Sequence, residues 1–232
     1  MFDYVRRLEL RTSMKHYSIT SKFILSIIAT ASIGASAFAQ SSVDKVDLSL
    51  LGNLVRNNAK GDYKYPGVYK FTRSGSRAYI NHFARKLAKN DSEIPQYEDV
   101  LKQGVRVWEE EQGPLGYTND LSGGLAFYTM VNSALGSNQP YQENYLGNMV
   151  AQFRKAFSSK SIAVLSSAKK QDMYDYMITE SVYMQALASA GQERNLSDTA
   201  DLLMKMGSMQ IRTTYKCDAS KIEITESGVT FK

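Results

Sequence analysis

Residues suited to chemistry are sparse in this chain. His82 is the one histidine beyond the first 39 residues, and Cys217 is the one cysteine. A zinc site of nitrogen and sulfur donors takes about four such ligands, so none can be assembled from one copy; an all-carboxylate site stays open, but no metal or cofactor is expected. A serine triad or a Cys–His pair would have to use His82 as its base. No G-x-S-x-G turn is present to offer a serine nucleophile. Cys217 allows no intramolecular disulfide, so the thiol is expected to be buried or joined to another chain. Carboxylates remain. Asp172, Asp175 and Glu180 share one helical segment, and the i, i+3 spacing puts Asp172 and Asp175 on one face. Glu180 lies in the apolar stretch from Tyr176 to Tyr183, so partial burial is expected. A buried carboxylate calls for a basic partner or a raised pKa, and Arg154 or Arg77 is the candidate partner. Two readings follow: an acid–base pair of a hydrolase, or structural ion pairs. Glu109, Glu110 and Glu111 are adjacent on a helix, point in different directions and read as a solvated face. Gly123-Gly124 lacks the lysine of a phosphate-binding loop.

Basic residues interleaved with aromatics form a different kind of candidate. Residues 56–89 hold Arg56, Lys60, Lys64, Lys70, Arg73, Arg77, Arg85, Lys86 and Lys89 against Asp62 alone. Lys64, Tyr65, Tyr69, Lys70, Arg73 and Arg77 are the residues that would lie on an anionic surface: lipid head groups, cell-wall polymer or nucleic acid. The competing reading is a linker whose aromatics clamp onto a helical core.

The elements that must position these residues are mostly helical. Apolar residues recur at i, i+3/i+4 spacing over 43–57, 74–89, 96–112, 118–135, 140–157, 166–191 and 197–213. Thr118-Asn119-Asp120 offers N-cap chemistry for the fourth segment, and Pro140 is expected to open the fifth. Residues 61–72 contain Pro66-Gly67 and read as an extended linker or turn. The tail alternates through Lys221–Thr225, turns at Glu226-Ser227-Gly228 and resumes at Val229, the pattern of a small hairpin. The expected fold is all-α: an irregular helical bundle with a short C-terminal β-hairpin. The expected division is an N-terminal helix and linker over 40–72 and a helical domain over 73–232.

The first 39 residues read as a targeting segment. Met14 is the better start, with residues 1–13 upstream of it. Lys15, His16 and Lys22 give a basic start, Phe23 to Ala35 is apolar or small, and Ala37 and Ala39 are the small residues a signal peptidase reads. Cleavage is expected near Ala39-Gln40, with a periplasmic or secreted product. The run is interrupted by Ser26, Thr30, Ser32 and Gly34, short of the about 20 predominantly apolar residues of a spanning helix. Of the 28 basic and 23 acidic residues, five and two fall in this segment, so the formal charge drops from +5 to +2 on cleavage. That balance gives little to attract nucleic acid, which is not an expected partner.

Several short motifs carry a resemblance. Asn119-Asp120 opens a helix with Ala126-Phe127, Gln152-x-Arg154 falls in the next, and Lys170-Gln171-x-x-Tyr174-Asp175 opens a long helix ahead of an alternating tail with Gly228. Together, over about residues 73–231, they resemble an exported bacterial family known only as a domain of unknown function. The family pattern has Glu where this chain has Asp175. The resemblance implies a helical exported domain with no assigned activity, and it makes Asn119, Asp120, Gln152, Arg154, Gln171 and Tyr174 candidates for a shared polar cluster. The same residues could serve only as caps and helix-to-helix hydrogen bonds. The functional expectation is a non-enzymatic binding domain of the envelope, taking a protein, a peptide or an anionic surface. The alternative is an envelope hydrolase using helix carboxylates.

Overall fold

A helix apolar on every side must be enclosed by others, and the segment Leu121–Ser137, here α4, meets that condition: every residue from Leu121 to Ala134 is buried. In the computed structural model, which describes residues 46–57, 64–75, 78–137, 142–193 and 197–232, it is the axis of the bundle. Around it run α1 (Ser49–Arg56), α2 (Ala78–Leu87), α3 (Ile94–Gln112), α5 (Leu146–Phe157), the single turn α6 (Lys160–Ala163), α7 (Ser167–Glu193) and α8 (Ser197–Tyr215). Helices α5, α7 and α8 pack directly on α4, while α2 and α3 pack on each other and on α7. The segment 1–39 that reads as a signal peptide, Arg77 and Pro140 lie outside the described residues.

Small residues allow α8 to cross α4 closely. A side-chain carbon on Gly207 of α8 would stand 2.7 Å from both the Asn132 carbonyl oxygen and the Gly136 nitrogen of α4. The Ser208 hydroxyl donates to the Gly136 carbonyl at 2.7 Å across the same crossing. Methionines and tyrosines fill the remaining space: Met149, Met177 and Met184 are fully enclosed, as are Tyr128, Tyr174 and Tyr215.

The seven periodic segments are helical, and the tail is a two-stranded antiparallel sheet of β1 (Ile222–Thr225) and β2 (Gly228–Phe231). Several boundaries differ from the expectation, among them the start of α1 at Ser49 rather than 43, and one short helix is added. Helix α2 starts at Ala78 rather than 74 because Ser74 is extended against α7, its backbone N–H donating to the Gln171 side-chain oxygen at 2.7 Å. Helix α5 starts at Leu146, behind a 3-10 turn over Glu143–Tyr145. The short α6 was not foreseen, since four residues are too few to show a helical period.

The segment 64–75 is docked rather than free. Phe71 N–H donates to the Asn119 carbonyl at 3.1 Å, and Leu121 N–H donates to the Tyr69 carbonyl at 3.0 Å. That pairing makes Lys70 and Asp120 an isolated antiparallel bridge. Leu51 and Val55 of α1 and Phe71 of the strap share one core with α4 and α7.

Candidate functional site

Two ion-pair clusters sit where the strap crosses the bundle. In the first, Asp120 is fully buried and uses both oxygens. Oδ1 accepts from the Ser122 N–H at 2.8 Å, which caps α4. Oδ2 accepts from Arg154 of α5, at 2.9 Å from Nε and 2.8 Å from Nη2. Arg154 also donates to the Gly116 carbonyl at 2.7 Å. Its guanidinium lies over the Tyr69 and Tyr117 rings, 5.7 and 5.5 Å from their centroids. Asn119, just ahead, takes a left-handed conformation, φ 53°, one that asparagine tolerates better than most residues.

In the second cluster Arg73 of the strap reaches two carboxylates. One is Glu109 of α3 at 2.6 Å and the other is Asp175 of α7 at 3.2 Å. The Gln171 amide donates to Asp175 at 3.4 Å and to the Ser74 carbonyl at 3.4 Å. Arg73 also covers the Tyr174 ring, 5.5 Å from its centroid. Phe71 and Trp108 meet that ring edge-on at 5.4 and 5.9 Å. Burial, with the Glu109 charge adding to it, holds the Tyr174 hydroxyl well above the usual tyrosine range.

Deeper in the bundle lies a third polar group. Gln210 of α8 accepts from the Tyr128 hydroxyl at 3.0 Å and the Tyr176 hydroxyl at 3.3 Å. Its amide donates to the Glu180 carboxylate, which is fully buried. Burial first, then the Glu180 charge, pushes the Tyr128 and Tyr176 hydroxyls far above their ordinary value. Periodicity reveals Glu180 as a carboxylate in an apolar run, but nothing local in the sequence signals Gln210, which lies 30 positions away.

Several placements differ from those drawn from helical spacing. Asp172 and Asp175 do not share a functional face: Asp172 is exposed and Asp175 is buried against Arg73. Arg154 pairs with Asp120 and not with Glu180. Glu109 leaves the acidic run to bind Arg73, while Glu110 stays exposed beside Arg106. Of the six-residue polar cluster, Asp120 joins Arg154, and Gln171 and Tyr174 gather around Arg73. Asn119 contributes its carbonyl to the strap, and Gln152 turns to the hairpin, accepting from Val229 N–H at 2.7 Å and donating to the Val229 carbonyl at 2.8 Å. Of the basic and aromatic group, Lys64 and Lys70 are exposed, Tyr65 and Tyr69 are half-buried and Arg73 is tied to carboxylates.

Acid–base chemistry needs a carboxylate within reach of a substrate proton. The carboxylates gathered here are instead bound by arginine or amide donors inside packed helix contacts. Among the described residues, no group of three His, Cys, Asp or Glu stands close enough to hold a metal ion. No described helix is long and apolar enough to cross a membrane.

A family model described as a family of unknown function matches residues 29–232. No curated protein and no solved structure matches the chain. Because the match spans the whole described bundle and its hairpin, the chain belongs to that family, DUF6683.

Proposed function

We propose that this chain is a non-enzymatic binding domain of the cell envelope, exported by the segment 1–39, whose partner is a protein, a peptide or an anionic surface. The observation that carries the reading is the use made of the buried acids. Asp120 is occupied by Arg154 and the α4 cap, Asp175 by Arg73 and Gln171, and Glu180 by Gln210. Carboxylates held this way maintain a fold, whereas a hydrolase of the carboxylate-pair kind, as in glycoside hydrolysis, needs two that face a common cleft. The basic start, the apolar run and Ala37-x-Ala39 support export.

The test is retention of the purified full chain on isolated envelopes at low salt, with release of soluble polymer fragments assayed alongside. Retention without fragment release supports the reading. Absence of retention overturns it. So does fragment release that Asp175→Asn or Glu180→Gln abolishes in a folded protein, which would make the chain a hydrolase.

A further inference from the structure

The C-terminal ends of α1 and α8 meet the hairpin around a cavity of about 500 Å³. Arg56, Arg212, Lys216, Lys221 and Lys232 line it, against one carboxylate, Asp218. One end of the molecule thus concentrates cations, four from residues 212–232 and Arg56 from far earlier in the chain. Three of them are engaged. Arg56 donates to the Tyr215 and Lys216 carbonyls at 3.3 and 3.0 Å, closing the end of α8. Arg212 pairs with Asp218 at 2.5 Å, and Lys232 pairs with Glu223 at 3.0 Å.

Lys216 and Lys221 differ: both side chains are exposed and neither takes part in the ion pairs above, although Lys216 lies near enough to Asp47 to help hold its carboxyl below the usual range, an effect led by hydrogen bonds from Ser49. Lys216 occupies the position after α8 with φ 54°, a left-handed conformation for which glycine is the low-energy choice. The Lys232 N–H donates to the Lys221 carbonyl at 2.8 Å, which fixes the hairpin end beside the cavity. Cys217 also lines the cavity. Burial raises its thiol pKa, so the thiol stays protonated at neutral pH and acts as wall rather than nucleophile. His82 is not among the lining residues, so no Cys–His pair forms there.

We propose that this cavity binds a multiply charged phosphate group, either a phosphorylated lipid head group or a soluble phosphate ester. Five cations against Asp218 and the Glu223 that pairs with Lys232 leave a local excess of positive charge. That excess suits a ligand of more than one negative charge, and phosphate carries close to two at neutral pH. Lysine binds phosphate as a point charge, from a flexible stem that adapts to the ligand. The volume admits a small phosphorylated molecule or a head group, and the exposed lysines leave it open to either. A lipid head group would give a ligand class to the anionic-surface role proposed above, a soluble ester would be a ligand beyond it, and the test needs no envelope.

The test is calorimetric titration of the full chain with inorganic pyrophosphate, paired with co-sedimentation on phosphatidylcholine vesicles with and without phosphatidic acid. The variant is Lys216→Gly with Lys221→Gln, which removes both charges that stand outside those ion pairs while relieving the left-handed lysine, so its melting temperature is expected to hold. Binding that weakens by about tenfold or more in that variant, and falls with added salt, supports the site. Pyrophosphate binding without vesicle binding assigns a soluble source, and vesicle binding that requires phosphatidic acid assigns a head group. The site is overturned if neither probe binds the native chain, or if the variant binds as the native chain does. If neither probe binds but envelope retention persists, the ligand class fails and the binding role stands.

Discussion

Gln210 shows how one side chain settles several burial costs at once. Its carbonyl oxygen accepts from two tyrosine hydroxyls and its amide donates to a buried carboxylate. Each of these groups would carry a desolvation penalty of about 1–3 kcal/mol if left without a partner. Replacement by methionine, similar in size and without either hydrogen-bonding end, is therefore expected to cost about 3 kcal/mol or more, read as a lower urea midpoint at unchanged slope. A loss below about 0.5 kcal/mol would mean that the network is not holding the core together. At this scale the sequence discloses which residues are polar in apolar surroundings, but not which partner each one finds. Asp120 and Arg154 are 34 positions apart and Arg73 and Asp175 are 102 apart. Only the packing of α4 on α5, and of the strap on α7, brings them together.

The hairpin is an element that could not stand alone, since a two-stranded sheet is marginal in water. It is fastened to α5 by the Gln152 amide, which meets the Val229 backbone as a neighbouring strand would, and by the Asn148 amide, which donates to the Glu226 carbonyl at 2.6 Å. Gly228, with φ 112°, brings the backbone against Gln152 where a side chain would collide. Gln152→Leu is expected to lower the exchange protection of the Val229 amide by about tenfold while α4 and α7 keep theirs. Equal loss across the bundle would show instead that the hairpin and the helices unfold as one unit. Elements with a sustained period were legible in the sequence, and the hairpin showed its alternation and turn. The start of α2 was not, because Arg73 and Ser74 are drawn straight by contacts with Asp175 and Gln171 that no local pattern encodes.

Across the whole molecule, tyrosine is the dominant titratable group of the core. Burial pushes the hydroxyls of Tyr79, Tyr128, Tyr174, Tyr176, Tyr183 and Tyr215 above the usual value of 10.0. Each stays neutral in the fold but ionises near pH 10 once unfolded. The stability they contribute is thus complete below that pH. It falls above it, because the unfolded chain releases protons that the native one keeps. The slope is about 1.4 kcal/mol per pH unit for each such tyrosine. Tyrosinate absorbance from these residues should rise together with loss of helical circular dichroism, in one cooperative step above pH 10. Ionisation of all six with the helices intact would show that the core admits water. The basic cavity also belongs to this scale: Arg56 appears in the sequence as part of the 56–89 basic run, yet the fold carries it to Lys216 and Lys221, some 160 residues away.

The account rests on buried carboxylates that brace the bundle, and Asp172 and Asp175 test it side by side. Helical spacing puts both on one face, but in the fold Asp172 is exposed and Asp175 is held by Arg73. The measurement is the unfolding free energy of Asp175→Asn set against Asp172→Asn. Loss of about 1–3 kcal/mol for the first, with a change within about 0.5 kcal/mol for the second, is the predicted result. A catalytic carboxylate is commonly kept at the expense of stability, so Asp175→Asn matching or exceeding the native stability would contradict the account.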